Sequence, residues 1–252
     1  MIRYFSIKNK VAGYMIKCKA FVPEDKISGA FIMCHGFASS KDSRSVRIIS
    51  EKLLENNIMS ISFDFPMHGA SAKNRNNLLV QNCIEDINYV YTYIVSKFKP
   101  QYISIFGVSF GGYIALLNAF NTKNNYKHIF LRAPAIGIGD IFMKDIAKEG
   151  EAELKKNGYV KSGFSHSIEA TQEFICGMKD NDLLKVKDFS HDAIIYHGTD
   201  DNTIPLKNSY RFKENNKNAN IEIIEINGAH HVMDNTTIEN LANDMLKKIK
   251  AH

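Results

Sequence analysis

The sequence predicts an α/β protein with a mostly parallel sheet that helices cover on both faces. Short, continuously apolar runs alternate with segments of helical spacing, which is the pattern of buried parallel strands joined by crossover helices. The 252 residues, of which 44% are hydrophobic and 23% charged, suffice for one large core. Parallel strands are predicted at residues 29–34, 58–64, 102–106, 126–132, 193–197 and 221–226.

The remaining elements follow from local patterns. A hairpin with arms at residues 2–7 and 14–22 is predicted first, and it brings the sheet to eight strands. Helices are predicted at residues 43–57, 78–98, 112–120, 206–215 and 236–249, where apolar residues recur every three or four positions.

The regular alternation stops between about residues 136 and 189. No strand is predicted there, and two charged amphipathic stretches, 141–156 and 167–184, flank a segment with glycines. We interpret this region as a small helical cap inserted into a single domain that spans residues 1–252.

A short motif lies between a predicted strand and a predicted helix. Residues 107–111 have the sequence Gly-Val-Ser-Phe-Gly. A serine at such a turn is held in a strained conformation that lifts its hydroxyl clear of the sheet, and Gly107 and Gly111 allow the strand and the helix to approach closely. The order of strand, turn and helix therefore predicts a nucleophile elbow with Ser109 as the nucleophile.

Two later loops carry the partners that a nucleophilic serine needs. The loop with Asp200 and Asp201 follows one apolar strand, and the loop with His230 and His231 follows the next. A carboxylate can orient an imidazole that takes the serine proton. Asp201 and His231 are favoured, with Asp200 and His230 as alternatives. Because consecutive side chains diverge, the two histidines do not indicate a metal site, and no metal is predicted.

The loop after residues 29–34 contains the sequence His35, Gly36, Phe37. Gly36 permits a tight turn, so that the backbone N–H of Phe37 can point at an oxyanion. The N–H of Phe110, directly after the serine, would be the second donor. The sequence of this loop therefore predicts an oxyanion hole. The alternative interpretation of the same residues is a plain glycine turn after a strand.

The loop after residues 58–64 is expected to be structural. Asp64, His68 and Ser71 can hydrogen-bond within it and hold it beside the elbow. His68 is not assigned to catalysis, since a triad needs one histidine and His231 is the better placed of the two.

Composition and charge narrow the function classes. The net charge of +5 comes from dispersed lysines, and no basic run interleaves with aromatics, so no nucleic-acid partner is expected. Cys18, Cys34, Cys83 and Cys176 lie far apart and indicate neither a disulfide framework nor a zinc site. Residues 1–8 do not resemble a signal peptide, and no apolar stretch approaches the ~20 residues of a membrane span. We expect a cytoplasmic protein, with a homodimer left open.

The chain resembles the α/β-hydrolases of the esterase, lipase and serine-aminopeptidase-like group. The resemblance lies in the chain order Ser109, Asp201, His231, with each residue after its own predicted strand. The chain is similar over nearly its whole length to the compact bacterial cinnamoyl (feruloyl) esterases. The resemblance implies the N–H groups of Phe37 and Phe110 as the oxyanion hole, supported by His35, Gly36, Gly107 and Gly111.

The same resemblance implies a function. We expect a serine hydrolase that cleaves small-molecule carboxylic esters with short-chain or aromatic acyl groups through an acyl-enzyme, without a metal or organic cofactor. Acyl transfer, thioester cleavage, and amide or peptide cleavage are alternatives that use the same triad. A binding protein that kept the fold and lost catalysis is less favoured, because every triad position is filled.

Three features depart from the resemblance. Many relatives have Gly-His-Gly where this chain has Met67-His68-Gly69, and Gly-His or Asp-His where it has His230-His231. The cap sequence is also unusual. Its large apolar side chains are expected to pack the cap onto the sheet in preference to lining a pocket, and they are Phe142, Met143, Phe164, Phe174, Ile175 and Met178.

Overall fold

The computed structural model describes residues 1–24, 26–71, 73–163 and 167–251, with the backbone only for residues 145–149. Phe164, one of the apolar cap side chains, lies outside the described residues. The strands are β1 (Ile2–Lys8), β2 (Met15–Phe21), β3 (Gly29–Cys34), β4 (Ile58–Phe63), β5 (Ile103–Val108), β6 (Ile129–Arg132), β7 (Tyr159–Ser162), β8 (Ile168–Thr171), β9 (Ala193–Gly198) and β10 (Ile221–Ile226). The α-helices are α1 (Arg44–Leu54), α2 (Val80–Phe98), α3 (Phe110–Asn121), α4 (Ile138–Asn157), α5 (Gln172–Asp180), α6 (Leu206–Asn215) and α7 (Asn235–Ala251).

Eight strands form one sheet in the order β1-β2-β4-β3-β5-β6-β9-β10. β2 runs antiparallel to both of its neighbours, and the other adjacent pairs are parallel. The predicted mostly parallel sheet is therefore confirmed. From β3 the chain crosses to β4 on one side, whereas from β5 it crosses to β6 on the other. A crevice for ligands is expected at the carboxyl ends of β3 and β5, where the strand order reverses.

Both faces of the sheet are buried. Ala30 and Ile32 of β3 point into a core that includes side chains of α2 and α3, and Phe31 and Met33 point into a second core with α1 and α7. Because neighbouring strand residues face opposite sides, a strand buried on both faces is largely apolar along its whole length. This explains why β3 is an uninterrupted apolar run, and why β4 and β5 interrupt theirs only with small residues such as the buried Ser60, Ser62 and Ser104.

The segment between β6 and β9, here called the β6–β9 segment, contains α4, β7, β8 and α5. The prediction that it has no strand is wrong, because β7 and β8 form an antiparallel pair. These strands have four residues each, and the buried side chains among them are Val160, Ile168 and Ala170. So short an alternation of buried and exposed residues is not distinguishable from helical spacing in the sequence.

The turn from β5 into α3 is packed too tightly for side chains at its glycines. A Cβ atom on Gly107 would lie 2.6 Å from the carbonyl oxygen of Gly111. A Cβ atom on Gly111 would lie 2.4 Å from the carbonyl oxygens of both Cys34 and His35. These neighbours are backbone atoms that cannot rotate away, so α3 sits against β5 and the end of β3 only with glycine at both positions.

A buried carboxyl group connects α2 to the first hairpin. Asp86 is fully buried and accepts hydrogen bonds from Asn9 Nδ2 at 2.8 Å and from the Tyr14 hydroxyl at 2.9 Å. Burial raises the pKa of Asp86 to about 7, although the hydrogen bonds from Asn9 and Tyr14 act in the opposite direction. The carboxyl group of the folded protein therefore holds its proton at pH values where the unfolded chain has released it.

We expect Gly111→Ala to lower the free energy of unfolding by at least about 2 kcal/mol, because the added methyl group overlaps backbone. Gly177→Ala is the matched control, since Gly177 also lies in a helix but its Cβ would be 3.4 Å from Val80 Cγ2. The control is expected to be neutral or stabilising by up to about 1 kcal/mol, because alanine favours helix. Urea unfolding measures both variants, and equal midpoints would contradict the packing argument.

Asp86 gives the stability a pH dependence of definite sign. The pKa of Asp86 is about 7 in the folded protein, whereas an ordinary aspartate has a pKa of about 4. Between these two pH values the folded protein therefore binds more protons than the unfolded chain. The free energy of unfolding therefore falls as pH rises across this window. Asp86→Asn, which stays neutral, should lose less stability than wild type between pH 5 and pH 8 in urea titrations.

Glu239→Gln removes an exposed carboxylate of α7 and controls for the change in net charge. Its pH dependence should match that of the wild type. If Asp86→Asn also matched the wild type, Asp86 would not be the source of the effect.

Candidate active site

Ser109 lies between β5 and α3 in a conformation that is rare for residues with a side chain, with φ 51° and ψ −116°. Its N–H donates to the carbonyl of Arg132 at 3.0 Å, and its own carbonyl accepts from the N–H groups of Tyr113 and Ala135, each at 3.0 Å. Backbone strain of this kind persists only where the surroundings fix it. The hydrogen bonds to β6 and α3 and the glycine packing described above supply that constraint.

Three side chains form a hydrogen-bonded series that starts at Ser109. Its Oγ lies 3.0 Å from His231 Nε2, and His231 Nδ1 lies 2.7 Å from Asp201 Oδ2. Because the carboxylate can only accept hydrogen bonds, Nδ1 carries the ring proton and donates a hydrogen bond to Asp201. In the neutral imidazole, Nε2 is then free to accept from the Ser109 hydroxyl. The arrangement is suited to removal of the serine proton by His231.

Asp201 is held as a carboxylate by its surroundings. Its Oδ1 accepts from the N–H groups of Thr203 at 2.9 Å and Ile204 at 2.8 Å, and its Oδ2 lies 3.4 Å from Nε2 of the buried His197. Burial alone would raise the pKa of Asp201. The hydrogen bonds from His197, His231 and the Ile204 N–H outweigh burial and keep the pKa well below its ordinary value. The charge that orients His231 is therefore present throughout the neutral range.

The structure separates the two pairs of adjacent candidates. Asp200 is exposed and accepts from the hydroxyl of Thr199 at 3.1 Å. His230 is also exposed, and its Nδ1 lies 2.9 Å from the carbonyl oxygen of Asp200. Neither side chain reaches Ser109, so the series of contacts runs through Asp201 and His231.

The loop after β3 is oriented by a buried histidine. The N–H of Phe65 donates to His35 Nε2 at 3.2 Å, so the His35 proton resides on Nδ1, which donates to the carbonyl of Gly36 at 2.7 Å. Burial lowers the pKa of His35, which favours this neutral form. Since a peptide unit is planar, fixing the Gly36 carbonyl also fixes the Phe37 N–H at its other end. Within the described residues, neither the Phe37 N–H nor the Phe110 N–H has a protein acceptor.

Asp64 joins two loops beneath this turn. Its carboxylate accepts from the backbone N–H of Lys41 at 2.7 Å, from Lys41 Nζ at 2.8 Å, and from the N–H of Ala70 at 2.8 Å. The His68 ring lies near the rings of Phe37 and Phe110, with centroid distances of 5.2 and 6.3 Å. Asp64 therefore holds its loop against the elbow.

The other two residues expected to support that loop do so only in part. His68 Nδ1 lies 2.8 Å from the carbonyl oxygen of Pro66, and the Ser71 N–H donates to the His68 carbonyl at 2.9 Å. The Ser71 hydroxyl is buried without a partner among the described residues. Met67, at one of the positions where the sequence departs from the expected pattern, adopts φ 68°, a backbone conformation that glycine favours.

A cavity of about 600 Å³ opens onto Ser109 and His231. Its wall includes Phe37 and Phe110 and, from the β6–β9 segment, Phe142. The ring of Phe174 in α5 packs against Phe37 and Phe110 at centroid distances of 6.1 and 5.9 Å. The expectation that the apolar cap side chains pack the cap in preference to lining a pocket is wrong for Phe142, which lines the cavity with its ring edge-on to Phe37 at a centroid distance of 5.7 Å. Phe174, Ile175 and Met178 are fully buried in the core, and Met143 packs against it.

Sequence reasoning missed two arginines of the cavity wall, Arg132 and Arg44. Arg132 is the last residue of β6, so the signal was present: it is a charged residue at the carboxyl end of an otherwise apolar strand. His197, which lies next to Asp201, occupies a comparable position near the end of β9. Ligands of such sheets bind at the carboxyl ends of the strands, so the last residues of each strand are candidates for the site as much as the loops that follow them.

Three further properties concern the described part of the chain. No three histidine, cysteine, aspartate or glutamate side chains there come together in a way that could hold a metal ion. None of the helices formed by these residues has the length and apolar character needed to cross a bilayer. Cys18, Cys34 and Cys83 are buried free thiols, and Cys176 is an exposed one.

Comparison with known proteins places the chain in a family. Residues 25–193, more than half of the chain, match the family model described as "Serine aminopeptidase, S33". An uncharacterized protein of Acanthamoeba polyphaga mimivirus is 24% identical over 190 residues. The match covers 71% of this chain, and the chain spans 60% of the length of that relative.

Solved structures share the fold at low sequence identity. A putative hydrolase from Agrobacterium vitis is 18% identical with a TM-score of 0.82, and 98% of each chain is covered. Est1E from Butyrivibrio proteoclasticus, solved with ferulic acid bound, is 19% identical with a TM-score of 0.77 over 98% of this chain and 99% of that one. Alpha/beta hydrolase domain-containing protein 10 from mouse is 16% identical with a TM-score of 0.78 over 100% and 99%. The chain has the α/β-hydrolase fold and belongs to the serine aminopeptidase S33 family.

Proposed function

We propose that this protein hydrolyses carboxylic esters through an acyl-enzyme on Ser109. The observation that carries the proposal is the series Ser109 Oγ, His231 Nε2 and Asp201 Oδ2, with contacts of 3.0 and 2.7 Å, at a strained turn that opens onto a cavity. A serine with a base and an orienting carboxylate is the arrangement that activates a hydroxyl as a nucleophile.

The reaction follows from the positions of these groups. The Ser109 hydroxyl attacks the ester carbonyl while His231 takes its proton, and Asp201 stabilises the imidazolium that forms. The N–H groups of Phe37 and Phe110, which have no acceptor within the described residues, donate hydrogen bonds to the negatively charged tetrahedral oxygen. His231 then returns the proton to the leaving alcohol, and a water molecule repeats the sequence on the acyl-enzyme.

The cavity supports an ester of short-chain or aromatic acyl groups. Its wall near Ser109 is apolar and aromatic, with Phe37, Phe110 and Phe142. Among the described residues that line it, none is an aspartate or glutamate. An aminopeptidase needs a negative group to bind the ammonium of its substrate, whereas this cavity carries arginines. Est1E, which shares the fold, was solved with ferulic acid bound, an aromatic acid.

The β6–β9 segment acts as a small cap in this proposal. It contributes Phe142 to the cavity and places Phe174 against Phe37 and Phe110, so its packing and the position of the oxyanion donors depend on each other. A cap of this kind excludes water from the acyl group and sets which acyl chains fit.

Ser109→Ala is expected to lower kcat for 4-nitrophenyl acetate and butyrate by roughly 10⁴-fold or more, because the nucleophile is lost. Ser39→Ala is the matched control, since Ser39 lines the same cavity but is absent from the contacts of His231. It should retain activity within a few-fold of the wild type. Undiminished turnover by Ser109→Ala would refute the proposal.

Asp201→Asn is expected to lower kcat by roughly 10³-fold or more, because a neutral amide no longer holds the Nδ1 proton of His231 or stabilises the imidazolium. Asp200→Asn, one residue earlier, provides the control and should change kcat little. The kcat of both variants is measured by stopped-flow release of 4-nitrophenol. In a separate experiment an alcohol or an amine is added, and acyl transfer would appear as a second, acylated product. Equal effects at the two positions would contradict the assigned roles.

A further inference from the structure

Arg132 is a buried cation beside the candidate nucleophile. The residue is 7% exposed and lines the same cavity as Ser109 and His231. Its carbonyl accepts the Ser109 N–H, so it lies on the strand directly next to the elbow. The hydrolysis described above does not use its charge.

The guanidinium of Arg132 is only partly satisfied. Nη1 donates to the carbonyl oxygen of His231 at 2.6 Å. Nε is buried without a partner, and Nη2 makes no hydrogen bond within the described residues. Nε and Nη2 form one edge of the planar guanidinium, so the bond to His231 leaves that whole edge without a protein acceptor.

No carboxylate among the described residues pairs with Arg132. Asp201 attracts it at longer range, but the carboxylate oxygens of Asp201 are taken by His231, Thr203 and Ile204. Burial lowers the pKa of Arg132 to about 10 in spite of that attraction. Removing a cation from water without a counter-charge is unfavourable, and such groups are normally paired. The unpaired edge therefore requires an explanation beyond packing.

We infer that the cavity takes an ester which itself bears a carboxylate, and that Arg132 binds this carboxylate. The inference rests on the proposed function, because it names the class of substrate for the same site. The substrate carboxylate accepts a charge-assisted hydrogen bond from the free edge of the guanidinium, which neutralises the buried charge. Binding at this position places the ester beside Ser109 Oγ.

Arg44 provides a matched control within the same cavity. It is also an arginine of the wall, and its Nη1 donates to the Met233 carbonyl at 3.3 Å, two residues from the carbonyl that Arg132 contacts. Unlike Arg132, Arg44 is exposed and lies near a carboxylate, that of Asp234. The pKa of Asp234 is lowered mainly by hydrogen bonds from Thr237 and to a smaller extent by the charge of Arg44. Water and Asp234 screen its charge, so it discriminates little between substrates.

The test compares anionic and neutral esters of similar shape. Mono-4-nitrophenyl glutarate and 4-nitrophenyl valerate place the charge on the acyl side, and 4-acetoxybenzoate and phenyl acetate place it on the alcohol side. For each enzyme, kcat/KM for the anionic ester is divided by that for its neutral partner. Comparing this ratio between enzymes cancels the intrinsic reactivity of the esters.

For at least one pair, Arg132→Gln is expected to lower the ratio about tenfold or more, the effect of losing one charge-assisted hydrogen bond. Arg132→Lys, which keeps the positive charge, should fall between this variant and the wild type. Arg44→Gln should leave the ratio within about twofold, because its charge is screened. If Arg132→Gln does not fold, as judged by circular dichroism, the lysine variant carries the test.

The inference is overturned if substitution of Arg132 lowers kcat/KM by the same factor for the anionic and the neutral ester of both pairs. Arg132 would then be a positioning residue that only holds the His231 carbonyl. Wild-type turnover of the neutral esters tests the proposed function separately, so the two failures are distinguishable.

Discussion

The close contact between α3 and the ends of β3 and β5 determines the geometry on which the whole site depends. Gly107 and Gly111 bring the backbone of α3 so near to the strands that a methyl group would lie within 2.6 Å of carbonyl oxygens. The chain makes this turn only by placing Ser109 at φ 51°, which turns its hydroxyl toward His231. Among the described residues, the same turn leaves the Phe110 N–H at the beginning of α3 without an acceptor. The packing of α3, the strain at Ser109 and the position of its hydroxyl are thus consequences of a single constraint.

The sheet topology brings the other groups to that turn. Because the strand order reverses between β3 and β5, the loop with Phe37 and the elbow with Ser109 meet at one edge of the sheet. Their positions are then fixed by buried polar contacts, with His35 holding the Gly36 carbonyl and Asp64 joining Lys41 to Ala70. Each of these contacts satisfies a buried polar group and orients a loop at the same time.

Sequence reasoning found what depends on local pattern and missed what depends on neighbours. The bounds of α6 and β10 were predicted to the residue, because their apolar spacing is strong and clear breaks flank them. The sequence pattern favoured Asp201 but left Asp200 as an alternative. The choice arises in space, where Asp201 receives the N–H groups of Thr203 and Ile204 while Asp200 faces water. The place of Arg132 at the end of β6 is visible in the sequence, but its burial is not, because that depends on β9 and the loop with His231.

The site contains one carboxylate whose hydrogen bonds are satisfied and one cation whose hydrogen bonds are not. Asp201 accepts from His231, Thr203 and Ile204, whereas Arg132 meets only a carbonyl oxygen within the described residues. In the proposed function Asp201 serves the reaction, whereas Arg132 is proposed to select the substrate, and neither role requires the other. An ester without a carboxylate would still meet Ser109, His231 and the N–H groups of Phe37 and Phe110.

The most direct test of the central claim is to find the residue that becomes covalently modified. The folded protein is treated with a fluorophosphonate, digested and analysed by mass spectrometry. A single adduct on the peptide that contains Ser109, lost when the same experiment is done with His231→Ala, is the predicted result. An unmodified Ser109 in folded wild-type protein, or an adduct on another residue, would contradict the account.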